Sequence, residues 1–127
     1  MVERVRIEEF SRDGINFMYI DLSDLKSNEE FLELTRVIEP AVAKYPEHSL
    51  NTITNIENIR IDTESKKFVT RYLDHNKPFV KYGAVIGLDG IKKILVSTVI
   101  KLSGRKDLIF AFTKEQAIEL LLKQEKA

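Results

Sequence analysis

The 127-residue chain contains no cysteine and no tryptophan, only three prolines and five glycines, and it carries no net charge. Without cysteine there can be no disulfide framework, thiolate metal site or thiol nucleophile, and a reducing compartment is the simplest home. No apolar run approaches the roughly 20 residues of a membrane span. The first residues, Met1 to Arg6, alternate charge with valine and lack the basic-then-apolar order of a signal peptide. These absences set the expectation of a cytoplasmic protein. Glycines are also too few and too spread out for a phosphate loop. Gly83, Gly87 and Gly90 fit neither the dinucleotide nor the Walker spacing, and tight turning into a helix explains them more simply.

What is present suits one folded domain. Apolar residues make up 43% of the chain and charged residues 31%, too hydrophobic a balance for disorder, and the length is that of a single unit over residues 1–127. Charge is uneven: residues 1–62 carry a net −6 and residues 63–127 a net +6. Such a surface can steer a partner or favour contact with a second copy, although the halves can equally neutralise each other within one domain. No dense basic stripe interleaved with aromatics occurs, so nucleic acid is not an expected partner.

The order of elements is the strongest signal. Val5 and Ile7 alternate with charged residues, and a second β-rich run, Ile15 to Leu22, follows Arg12-Asp13-Gly14, which predicts a hairpin with an Asp-Gly turn. Ser27 and Glu30 form a capping box opening a first helix, whose apolar stripe runs past Pro40 to Tyr45. Leu50 to Ile56 reads as a third strand, unusually polar for a central one. A second helix begins near Asp62 or Thr63 and stops before Pro78, and Phe79 to Ile86 is a fourth strand. A third helix follows Gly90 and ends at Gly104. Leu108 to Phe112 is a fifth strand, and Thr113 with Gln116 caps a last helix. Strands joined through helices lie parallel by right-handed crossover. The fold expected is therefore α/β: one mixed five-stranded sheet, strand one antiparallel and strands two to five parallel, with four main helices. The carboxyl ends of the parallel strands then share a rim where ligands and partners usually engage.

Several stretches, His75-Asn76-Lys77-Pro78-Phe79-Val80-Lys81, Ala84 to Lys93, Ser103-Gly104-Arg105 and Phe112 to Ala117, give the chain its likeness to a known family. It resembles the SpoIIAA-like family, small STAS-type domains related in fold to the CRAL-TRIO lipid-transfer lobe. The resemblance implies a non-enzymatic domain of a bacterium or archaeon, with no cofactor and no metal. Its role would be regulatory, through a protein partner, or else the binding or carriage of a lipid or other apolar ligand. In anti-sigma-factor antagonists of the wider STAS group, a hydroxyl residue within an Asp-Ser-Ser/Thr-Gly pattern is phosphorylated. The corresponding stretch here is Asp62-Thr63-Glu64-Ser65, without the glycine, and it makes Asp62, Thr63 and Ser65 the candidate switch residues. Helical stepping back from Phe68 puts Ser65 on the apolar face and Thr63 away from it, so Thr63 is the better acceptor. Asp62 or Thr63 could equally serve only as a helix N-cap.

A second candidate lies on the third helix. Ile91, Leu95, Thr98, Val99 and Leu102 form its core face, whereas Val96 and Ile100 fall nearly opposite, beside Lys93. Val96 and Ile100, with Lys92 and Lys93, thus form a candidate interface for a second copy, an apolar ligand or a membrane surface. Ordinary exposed aliphatics, or packing against the last helix, explain them equally well. Catalysis has little to work with. His48 and His75 fall at the far ends of the first two helices, and the carboxylates Asp21, Asp24, Glu29 and Glu30 lack a regular ligand spacing.

Overall fold

The computed structural model describes residues 6–60, 62, 64–89 and 107–126. The strands β1 (Ile7–Arg12) and β2 (Ile15–Asp21) pair antiparallel. Asp13 and Gly14, which join them, have φ of 55° and 77°, the positive values that a two-residue type I′ hairpin turn requires. β3 (Leu50–Asn55), β4 (Val80–Ile86) and β5 (Leu108–Phe110) follow in parallel, giving one mixed sheet in the order β1-β2-β3-β4-β5. The pairing of β3 with β4 shifts register between Leu50 and Asn51, where Val80 and Tyr82 are the partners. Lys81 is the extra residue of this bulge.

Three helices lie among the described residues: α1 (Asn28–Val42), α2 (Ser65–Asn76) and α3 (Lys114–Lys126). The helix expected after Gly90 falls outside the described residues. Ser27 caps α1 by accepting the Glu30 N–H at 3.2 Å, while the Glu30 carboxylate accepts the Lys26 N–H at 2.8 Å. Thr113 caps α3 in the same way, with the Gln116 side chain accepting the Phe112 N–H at 2.7 Å. In both helices the returning side chain reaches one residue before the cap, so each box holds the entering chain as well as the first turn.

β2, β3 and β4 are each one residue shorter than the sequence reading, and α2 opens at Ser65 rather than at Asp62 or Thr63. Two further boundaries differ for a local reason. α1 does not continue to Tyr45. It passes through Pro40 and ends at Val42, because Pro46 disfavours the α conformation at Tyr45. A tight turn, with the Tyr45 N–H on the Val42 carbonyl at 3.2 Å, still brings the ring onto the core. Its hydroxyl donates to the Glu9 carboxylate of β1, and burial together with that carboxylate pushes the phenol pKa up to about 12. β5 stops at Phe110 rather than Phe112, since the Phe112 N–H is taken by Gln116.

Alternation along the strands sends side chains to two cores. Met18, Ile20, Leu50 and Val85 meet Phe31, Ile38 and Val42 of α1 and Tyr72 of α2 on one face. Phe17, Ile53, Ala84 and Ile86 meet Ala117, Ile118 and Leu121 of α3 on the other. Among the described residues no helix is long and apolar enough to cross a membrane.

Candidate functional site

Among the described residues the first face is incompletely filled. Beneath α2 lies a cavity of about 70 Å³. Its floor is Ile20 and Leu22 of the β2 side, Thr52, Thr54 and Ile56 of the β3 side, Val80 and Val85 of β4 and Leu108 of β5. Its roof is Phe31 of α1 and Val69, Tyr72, Leu73 and Asn76 of α2, with Ile59 at one end. Its origin can be read in the register. Thr52 pairs with Gly83 and Thr54 with Val85, so the middle of the floor is built from two small hydroxyl residues and a position with no side chain. Larger aliphatics there would close the space under the helix.

The polarity noted for β3 is thereby divided between the two faces. Asn51 and Asn55 turn toward α3: the Asn51 amide donates to Glu125 at 3.3 Å, and the Asn55 amide donates to the Tyr19 hydroxyl at 3.1 Å. Thr52 and Thr54 turn the other way, into the cavity wall, and neither hydroxyl has a hydrogen-bond partner among the described residues. The sequence reading missed these two threonines as site residues. Their signal was the unusual polarity of a strand whose neighbours on both sides bury it.

The predicted switch stretch sits at the start of α2. Thr63 lies outside the described residues. Asp62 accepts the Ser65 N–H on its carboxylate at 2.9 Å, and the Ser65 hydroxyl in turn accepts the Asp62 N–H at 3.0 Å. The same hydroxyl lies 2.8 Å from the side-chain Oδ1 of Asn28 at the start of α1, which accepts from it. Ser65 is buried, and its hydroxyl ties together the amino ends of the two helices. Glu64, at the head of α2, makes no side-chain cap, so the Asp62 carboxylate holds the first turn from two residues before it. Hydrogen bonds from Ser65, then Glu64 and Asn28, hold that carboxyl below the ordinary value of 3.8.

That shift gives a signed expectation. A carboxyl with a lowered folded pKa stabilises the fold fully above the ordinary value, and its contribution is lost as pH falls below 3.8 through the folded value. Asp62→Ala should therefore melt at a lower temperature than the parent at neutral pH. The gap should narrow only below about pH 3.8. Melting curves across that range check it; a gap independent of pH would mean that the charge is not what Ser65 recognises.

At the carboxyl-end rim the loops are fastened to one another. Leu22 N–H donates to Asn55 O at 2.8 Å, Asp24 N–H to Glu57 O at 3.0 Å and Ile56 N–H to Ile86 O at 3.0 Å. Asp21 accepts from the backbone and hydroxyl of Ser23, and Asp24 accepts the Asn58 amide at 2.9 Å. These carboxylates thus serve the turns. Among the described residues no three His, Asp or Glu groups converge as for a metal ion. Phe112 stands 87% exposed on the same rim. His48 and His75 are at the opposite end. His48 N–H donates to Pro78 O at 3.0 Å, and His75, in the last turn of α2 rather than in a loop, places Nδ1 3.0 Å from the Asn76 side chain. Lys92, Lys93, Val96 and Ile100 lie outside the described residues. Compared with protein-family models and with curated proteins, the chain matches none.

Proposed function

We propose that this chain is a binding domain of the SpoIIAA-like type that takes a small apolar ligand, or one end of a lipid, between its sheet and α2. The observation that carries this reading is the cavity of about 70 Å³ floored by Thr52 and Thr54 and roofed by Val69, Tyr72 and Leu73. Packed interiors rarely leave voids larger than a water molecule, so an apolar space of this size marks a place where another molecule's surface can be buried. Xenon, which enters dry apolar cavities, is a direct probe. Under xenon pressure the methyl resonances of Val69, Leu73, Val80, Val85 and Leu108 should shift and saturate, while those of Ile118 and Leu121 on the other face stay still. Val85→Phe, which fills the floor, should abolish the response. Wild-type methyl resonances indifferent to xenon would end the proposal.

A regulatory protein-interaction module, switched by phosphate on Thr63, is the second reading. Phe112 favours it: a large aromatic side chain 87% exposed at the rim gains by being covered. A photo-crosslinking residue at position 112 that forms no protein adduct in cells, together with an intact mass free of phosphate, would count against it.

A further inference from the structure

We infer that the cavity under α2 selects an uncharged ligand bearing a hydroxyl or carbonyl oxygen, held against the Thr52 and Thr54 hydroxyls of β3; this rests on the apolar-ligand reading above. Thr52 is only 6% exposed, and both threonines line the cavity two residues apart on one face of the strand. Neither hydroxyl has a hydrogen-bond partner among the described residues. Thr54 is half-buried. A hydroxyl that faces such a space without a partner gains from any group that can accept from it or donate to it. A pure hydrocarbon leaves both hydroxyls unsatisfied, whereas an alcohol or carbonyl oxygen satisfies at least one.

Charge is selected against by the described part of the wall. Among the described lining residues there is no Asp, Glu, Lys, Arg or His. A carboxylate or ammonium drawn into this space would lose its water without gaining a counter-charge. An adjoining hole shares Phe31, Ile59 and Val69 with the cavity and leads to the polar ends of α1 and α2 near Ser65 and Arg60. It measures about 10 Å³, near the roughly 10–15 Å³ that one water needs, so it has no room for a carboxylate or phosphate head group. Size narrows the class further. At about 70 Å³ the cavity is roughly half the ~150 Å³ that accommodates benzene in an engineered core. It takes the oxygen-bearing end of a chain rather than a whole lipid.

The test uses the full chain at pH 7 with three six-carbon probes, 1-hexanol, hexanoate and hexylammonium, read on the cavity methyls by NMR titration. 1-Hexanol should bind at least ~10-fold more tightly than either ion, because only it enters without an unpaired charge. The double variant Thr52→Val with Thr54→Val keeps the branched shape of both residues and removes the oxygens. It should lose roughly 3–10-fold in 1-hexanol affinity, the usual worth of one net hydrogen bond. Its xenon response should persist, which reports that the cavity is intact, and Thr52→Ser with Thr54→Ser should retain the alcohol. Hexanoate or hexylammonium binding as tightly as 1-hexanol, no response to 1-hexanol, or an undiminished affinity in the valine variant would each overturn the inference. If xenon still binds in those cases the apolar-ligand reading survives; loss of the xenon response in the wild type would remove both.

Discussion

Gly87→Ala should destabilise the fold by roughly 2–4 kcal/mol, the sum of a left-handed backbone penalty and an overpacking term. Gly87 has φ of 85°, a conformation that side chains resist. A Cβ added there would stand 2.5 Å from the Glu57 backbone nitrogen, 2.7 Å from Asn55 Oδ1 and 2.9 Å from Glu57 Cα. Two of these neighbours are main-chain atoms. The third, Asn55 Oδ1, is held by the Glu57 N–H at 2.9 Å, so the crowded side has no loose side chain to move aside. The loop after β3 must shift, and with it the bonds from Ile56 and Asp24 that knit the rim. Gly14→Ala separates the two terms. Gly14 has φ of 77°, and a Cβ there would meet nothing within 4 Å, so it should cost only about 1 kcal/mol for the backbone conformation. Chemical denaturation of the two variants reads the difference. Equal losses at both positions would mean that the rim loops are free to move and that close approach at Gly87 is not a constraint.

The features that could be read from the sequence are those whose causes are local. An Asp-Gly pair between two alternating runs fixes the β1–β2 turn, and hydroxyl residues three positions before Glu30 and Gln116 fix the starts of α1 and α3. Strand polarity follows from them, because a helix between two strands forces them parallel. The site could not be read in the same way, because it is made by registers and partners far apart in the chain. Four polar residues of β3 look alike in the sequence, yet Asn51 is matched by Glu125 and Asn55 by Tyr19. Thr52 is paired with Gly83, which offers no side chain, and Thr54 with Val85. The Ser65 hydroxyl likewise finds Asn28, 37 residues earlier in the chain. Helical stepping put Ser65 on the inner face but could not supply that partner. The end of α1 was misjudged because an apolar period carries on through Tyr45, while the backbone obeys Pro46.

Leu121→Ala should destabilise by roughly 3–5 kcal/mol, the upper part of the range for truncating a buried leucine. The two sheet faces are not equally served. α1 and α2 share the first, whereas α3 is the one described helix over the second, and its buried contribution is Ala117, Ile118 and Leu121. Leu121 is fully buried against a floor that includes Phe17 and Ile53. Packed strands cannot collapse onto the vacated space, so the lost transfer energy is joined by most of the cavity term. The polar contacts at the two ends of the helix offer little compensation. Arg12 reaches Glu115 at 3.3 Å with both side chains exposed, a pair of a kind usually worth about 0–1 kcal/mol, and Lys81 pairs at 2.9 Å with the mostly buried Glu125 at the other end. Leu122→Ala, at a half-buried neighbour on the same helix, should cost only about 1–2 kcal/mol. Because Leu121 serves the face away from the cavity under α2, its truncation should accelerate amide exchange along α3 before it weakens any xenon response at Val69 and Val85. Denaturation and hydrogen exchange on the same sample test both halves of that expectation. A Leu121→Ala loss no larger than that of Leu122→Ala would show that α3 is dispensable to the second core.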